Sequence, residues 1–283
     1  MKNIAAASPI ARLKSTALGA TAPRLGAASL GAIAALVSVL LATALPARAS
    51  TADQVDPLDS PSWKEMHRYV LEQGPFVFDE RVQVIAPASA ENAMNVPVKI
   101  DASMIDGVQR VVVFADLNPI TRIMEFEPVN SSPVVSFNFK VQQGTPLRAA
   151  ALDREGIWHV GGVYLDAAGG GCTAPSVGSS NSDWASHLGN VTARLWPTDS
   201  GQRMRVRIMH PMDTGLAPRI PVFIIEKLEI TDRWGERLAL VSLHEPIAEN
   251  PILTLDLKHR DEVQLFAVDN NGNRFAANVF AVP

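Results

Sequence analysis

Apolar and polar residues alternate along most of this 283-residue chain. The clearest run is Val135, Phe137, Phe139 and Val141, apolar at every second position. Val96, Val98 and Ile100 repeat it in NVPVKIDAS, and Val82 and Val84 give a shorter version. A period of two places one set of side chains on one face, so each run predicts a half-buried strand. Residues 108–115 (VQRVVVFA) are mostly apolar, which suits a central strand, and residues 157–165 close the first set. A second set follows. Val191, Ala193 and Leu195 alternate, as do Met204, Val206 and Ile208, then Leu253, Leu255 and Leu257. Residues 224–230 and 237–243 flank the turn DRWG (232–235), and 263–268 and 275–279 flank DNNGN (269–273), two hairpins.

Two stretches break the alternation. Residues 60–74 (SPSWKEMHRYVLEQG) place Trp63, Met66, His67, Val70 and Leu71 on one face at helical spacing, with Ser60 as cap and Gly74-Pro75 as stop. His67 on that face reads as a packing residue. Residues 167–189 are dominated by Gly, Ser, Ala and Asn and read as a linker. The pattern predicts an all-β chain of two immunoglobulin-like β-sandwiches in tandem, with a short N-terminal helix. The expected boundaries are an export signal at 1–49, a first sandwich with the helix at 50–166, a linker at 167–188 and a second sandwich at 189–283. The halves are expected to pack against each other, each with its own core.

The N-terminus adds a location. Residues 1–49 carry Lys2, Arg12, Lys14, Arg24 and Arg48 and no acidic residue, then an apolar run to Leu45 and the small-residue site Ala47-Arg48-Ala49. That succession reads as a signal peptide cleaved near Ala49, which sends the chain to the periplasm with no membrane anchor left. Without those five basic residues the chain keeps 20 Lys+Arg against 29 Asp+Glu, a net charge of −9. Such an acidic chain is a poor partner for nucleic acid or an anionic membrane.

Cys172 is the sole cysteine. It sits in AGGGCTAPSVGSS, directly after Gly169, Gly170 and Gly171, so no internal disulfide forms. Glycines remove side-chain bulk, and the reading is a mobile, solvent-reachable thiol. No Lys or Arg lies near it in sequence, the nearest being Arg154 and Arg194. His210 and His244 read as structural residues of loops, and His159 as a strand residue without a partner at metal-ligand spacing. No nucleophile elbow, phosphate loop, HExxH or Cys-x-x-Cys occurs. The sequence therefore names no metal site, cofactor or catalytic residue.

The second half contains MHPMDTGL (209–216) and VSLHEPIAENPILTLDL (241–257). These resemble the two signatures of SoxZ, the smaller subunit of the SoxYZ sulfur-oxidation carrier. His210, Pro211, Met212, Thr214 and Gly215 match the first, with Asp213 in place of Glu. His244, Ala248, Asn250 and Pro251 match the second, while Glu245-Pro246 departs from it. The first half resembles SoxY in its VPVKID strand and in Gly170, Gly171 and Cys172, with Thr173 and Ala174 where the family has two glycines. The whole is similar to fused SoxY–SoxZ carriers associated with quinoprotein dehydrogenases. The resemblance implies a carrier that is not itself an enzyme, with Cys172 as covalent attachment point and Gly169, Gly170 and Gly171 as its carrier loop. The partners it implies are periplasmic redox enzymes, either of sulfur oxidation or a quinoprotein dehydrogenase. The alternative is a non-covalent accessory or assembly module for such a dehydrogenase.

Overall fold

Because their apolar positions share a face, the alternating runs form strands around a common core. A computed structural model describes residues 54–176 and 184–281; the expected export signal at 1–49 and linker positions 177–183 lie outside the described residues. The first half contains α1 (Trp63–Tyr69), β1 (Phe76–Phe78), β2 (Gln83–Ile85), β3 (Ser89–Ala90), β4 (Val96–Asp101), β5 (Arg110–Ala115), β6 (Arg122–Glu127), β7 (Ser131–Phe139), β8 (Thr145–Leu152) and β9 (Trp158–Ala167). The second contains α2 (Trp184–His187), β10 (Val191–Thr198), β11 (Gly201–Ile208), β12 (Asp213–Thr214), β13 (Val222–Phe223), β14 (Ile225–Asp232), β15 (Arg237–Leu243), β16 (Ile252–Leu257), β17 (Val263–Asp269) and β18 (Arg274–Val279). The chain is all-β in tandem sandwich form, and both expected hairpins are present, β14–β15 and β17–β18.

The two halves join edge to edge. One large sheet runs β1-β9-β8-β5-β6-β15-β14-β17-β18, with β3 also beside β9, and a smaller one runs β10-β11-β16-β7-β4-β2. The halves meet where β6 pairs antiparallel with β15 and β7 with β16, for example at Phe126↔Val241 and Val135↔Leu255. The separate cores expected from sequence are merged. A single apolar cluster runs from Val84, Ile100 and Phe137 through Met124 and Leu243 to Leu255 and Leu265. Burying each such side chain contributes about 1.5–3 kcal/mol, and the seam shares in it, since Phe126, Val135, Val241 and Leu255 are all buried.

The helix is shorter than the pattern implies. α1 ends at Tyr69, and its N-cap is Ser62, with no side-chain cap, instead of Ser60. Glu72 and Gln73 take left-handed φ angles of 53° and 59°, and the Gln73 N–H bonds back to the His67 carbonyl at 3.0 Å. This reversal lets Val70 and Leu71 reach the sheet, where they pack with Trp63, Met66, Phe76, Phe114 and Trp158. His67 packs as expected, its ring 4.7 Å from Phe76 and its Nε2 2.8 Å from the Gly74 carbonyl.

This topology positions the linker. β9 lies near the first-half end of the large sheet, and β10 at the far end of the small one. The described part of the segment after β9, up to Ser176, reaches the seam, and Cys172 is on it.

Candidate functional site

The glycines before Cys172 fasten the segment down. Gly169 and Gly170 adopt φ of 102° and 90° and turn the chain back toward the end of β7. Gly170 and Gly171 then donate N–H bonds to the carbonyls of Gln142 (3.1 Å) and Val141 (3.0 Å). A Cβ on Gly171 would lie 2.0 Å from the Ala93 carbonyl oxygen and 2.6 Å from that of Val141. Only glycine fits there, because the backbones touch. The Cys172 N–H donates to Gln142 Oε1 at 3.2 Å, and the Thr214 hydroxyl donates to the Cys172 carbonyl at 2.6 Å. The Ser176 N–H reaches Asp213 Oδ1 at 3.1 Å.

Cys172 is therefore not the solvent-reachable thiol its composition predicts: its exposure is 0%. The sulfur lies 3.5 Å from the Lys140 carbonyl. Burial pushes the thiol up to about 11, and the nearby Lys140 charge offsets this only in part. The expectation failed because small residues have two uses. They permit motion when nothing is near, and close approach when something is; here Ala93, Val141 and Gln142 are near.

Lys140 is the member of the site that sequence reasoning missed. It follows β7, where strict alternation would point it to solvent, yet it is fully buried. The strand ends at Phe139, and the next two residues bond in opposite directions. The Lys140 N–H goes to Pro246 in the second half at 2.6 Å, and the Val141 N–H to Ala93 in the first at 2.8 Å. The Lys140 ammonium donates across the seam to the Met212 carbonyl. Burial pulls its pKa down, opposed by the charges of Asp213, Cys172 and Glu249. No local pattern signals this, since the residues it meets are 32 and 72 positions away.

The two second-half motifs meet at the same place. The His210 N–H donates to Asn250 Oδ1 at 3.1 Å, and the Asn250 N–H returns to the His210 carbonyl at 2.8 Å. His210 Nδ1 accepts the Met212 N–H at 3.1 Å, which places the imidazole proton on Nε2, 3.5 Å from Asp269 Oδ2. Burial pushes His210 down to about 4 despite that carboxylate. The buried ring packs on Phe223 at 4.3 Å and orders the loop.

His244 lies on the seam too. Its N–H donates to the Ile123 carbonyl at 3.0 Å, and Nε2 lies 3.6 Å from Glu125 Oε1. Interaction with His244, then with Arg122 and Arg110, outweighs burial and holds Glu125 down at about 2. His159 is elsewhere, between Asp79 at 2.8 Å and Asp153 at 3.0 Å, where it clips strand ends together. Among the described residues no cluster of three His, Cys, Asp or Glu side chains is arranged to hold a metal ion. No helix of the described residues is long and apolar enough to cross a membrane.

Comparison with known proteins gives two family matches in tandem. Residues 67–172 match the sulfur oxidation protein SoxY, and residues 197–279 match the sulphur oxidation protein SoxZ. The SoxY match ends on Cys172. No curated protein matches the chain. Among solved structures, the sulfur carrier protein SoxY from Chlorobium limicola f thiosulfatophilum aligns at 20% identity and a TM-score of 0.34, covering 38% of this chain and 96% of that one. A glycosyl hydrolase family 2 member from Bacteroides cellulosilyticus aligns at 10% identity and a TM-score of 0.20, over 66% of this chain and 24% of that one. Neither superposition supports a shared detail. The family assignment rests on the tandem matches, which together span about two thirds of the sequence. A SoxY domain running into a SoxZ domain across shared sheets makes this chain a fused SoxY–SoxZ-like member of the sulfur-oxidation carrier family.

Proposed function

We propose that the chain is a periplasmic carrier that holds a sulfur-containing intermediate covalently on Cys172 and presents it to enzymes of sulfur oxidation. The position of the thiol carries this reading. It is the chain's one cysteine, at the last residue of the SoxY match, on the seam with the SoxZ half. Seated there, with a pKa near 11, it is almost wholly protonated at neutral pH and a poor nucleophile. Loading therefore requires the segment from Gly169 to Ser176 to lift off Gln142, Thr214 and Asp213. Each hydrogen bond given up costs about 1 kcal/mol net, within reach of a docking partner. Lifting returns the sulfur to water and its pKa toward the ordinary thiol range. The closed seat shields the cysteine until a partner engages.

Export through cleavage near Ala49 belongs to the same proposal, and N-terminal sequencing of exported protein tests it. Covalent loading is tested by intact mass spectrometry of protein isolated from its host during growth on thiosulfate. Sulfur-containing adducts on Cys172 support the proposal; an unmodified thiol under all growth conditions overturns it.

A second reading is a non-covalent accessory or assembly module for a periplasmic quinoprotein dehydrogenase. The observation that favours it is the 0% exposure of Cys172. On that reading Cys172→Ser leaves activity in the cell unchanged.

A further inference from the structure

Three strands of the small sheet carry a charge opposite to that of the chain as a whole. On β10, β11 and β16, Leu195, Met204, Val206, Leu253 and Leu255 point into the core. Alternation turns Arg194, Arg203, Arg205 and Arg207 outward, and all four are exposed. The one carboxylate on these strands, Asp256, is held by Arg203 through bonds of 2.6 and 2.8 Å. Arg194, Arg205 and Arg207 form no ion pair among the described residues.

The register sharpens the anomaly. Arg194 and Arg205 are direct cross-strand partners. Side chains so placed start about 5 Å apart, and like charges there are destabilising. The chain is rich in carboxylates, with a net charge of −4, yet among the described residues none forms an ion pair with these three arginines. Charges on an outermost strand guard against stray pairing, which accounts for Arg194 on β10. It does not account for Arg205 and Arg207, because β11 is paired on both sides. Trp196, 39% exposed, stands opposite Arg203 on the same face. Arg and Trp are the side chains that most often anchor protein interfaces.

We propose that this face docks a carboxylate-rich surface of a protein partner. An acidic chain repels a polyanion such as nucleic acid or an anionic bilayer at long range. A protein with a local acidic patch is matched by the arginines within the Debye length of about 8 Å. The face adjoins the seam. Arg207 lines a cavity of about 360 Å³ together with Asn92, Met94, Asn138, Asn250 and one carboxylate, Glu249. Ala93, between Asn92 and Met94, is the residue whose carbonyl abuts Gly171. A partner seated on the arginines therefore lies beside the Cys172 segment. The docking stands independently of what Cys172 carries.

Binding of a fluorescein-labelled peptide of a few glutamates, a local acidic patch in place of a long polyanion, to the full chain at about 50 mM salt and again at about 300 mM tests the proposal. Native protein should bind at low salt and weaken steeply at high salt. Combined Arg194→Glu, Arg205→Glu and Arg207→Glu should weaken binding roughly tenfold or more. The control Arg154→Glu, Arg233→Glu and Arg274→Glu makes the same charge change elsewhere and should weaken it far less. Thermal melts establish that both variants fold; if the face variant does not, single Arg205→Glu replaces it. Absence of native binding, or equal loss in the two variants, overturns the proposal. So does binding of duplex DNA or phosphatidylglycerol vesicles as tightly as the glutamate peptide with the same loss, since the face would then read any polyanion.

Discussion

Among the described residues two cations are fully buried, and they are held in different ways. Arg148, 1% exposed in the first half, donates to Asp116 at 3.0 Å and to Asp56 at 2.7 Å, and lies 4.8 Å over the Trp63 ring. Lys140, at the seam, bonds a backbone carbonyl and meets its compensating charges only at longer range. The guanidinium is locked by a planar fork with two carboxylates, which suits it to tying the N-terminal segment onto β8. The ammonium is a point charge on a flexible stem, in a cluster with a protonated thiol and a neutral imidazole. The first arrangement is closed. The second contains groups that change charge at attainable pH, which is what the proposed opening of the seat requires.

The largest effect expected from this contrast is at Arg148. Arg148→Met leaves Asp116 buried without its partner and should cost about 3–5 kcal/mol in denaturant unfolding. A loss below about 1 kcal/mol would show that the network does not anchor the fold. Next comes acid sensitivity at the seam. His210 is depressed to about 4 in the folded chain, so the unfolded chain takes up its proton first. The His210 contribution is complete above about pH 6.5 and lost as pH falls toward 4, a drop of roughly 2–3 kcal/mol. His210→Asn should flatten stability between those limits.

At the alkaline end the sign reverses. The Cys172 thiol is raised to about 11, so its contribution is complete below about pH 9 and lost as pH rises toward 11. The loss is roughly 2 kcal/mol, and Cys172→Ala should abolish it. The same elevation predicts iodoacetamide alkylation that climbs about tenfold per pH unit beyond pH 9, where an exposed thiol would level off. Gly171→Ala, which drives a Cβ into the Ala93 carbonyl, should lift the segment and speed alkylation at pH 8 by about tenfold or more. Gly170→Ala meets nothing within 4 Å, pays only for its φ of 90°, and should change the rate less. The smallest effect is at Lys140. Lys140→Met removes a buried charge but leaves the Met212 carbonyl without its donor; the gain and the loss offset, so stability should change by less than about 1.5 kcal/mol in either direction. A loss as large as that of Arg148→Met would erase the distinction between the two sites.

Strands wet on one face were legible in sequence: β4, β7, β11 and β16 keep a period of two because one side meets water. Of those buried on both faces, β5 was legible as a continuous apolar run, but β8 was not. β8 reads TPLRAAAL and is buried at seven successive positions, because α1 covers the outer side of the sheet there and the core fills the inner. β6, RIMEFE, was missed as well, although it forms the large-sheet half of the seam. The helix was legible in existence and buried face, but not in length, because the left-handed turn at Glu72 and Gln73 serves contacts with the sheet. Within the site, the SoxZ-like motifs, the lone cysteine and its glycines could be read directly. Lys140 could not.

By itself the sequence determined the strand periodicity, the two hairpins, the fused SoxY–SoxZ character and the residue types flanking Cys172. These depend on neighbours one to a few positions apart, which is the range over which alternation, turns and motifs act. Whether the thiol faces water, which lysine shares its pocket, and whether the halves keep one core or two were decided by tertiary structure. Each depends on contacts between remote segments: Cys172 with Lys140, Lys140 with Met212, β6 with β15. Burial removes water and so sets the charge of a group by whatever the fold brings beside it. No local pattern encodes that.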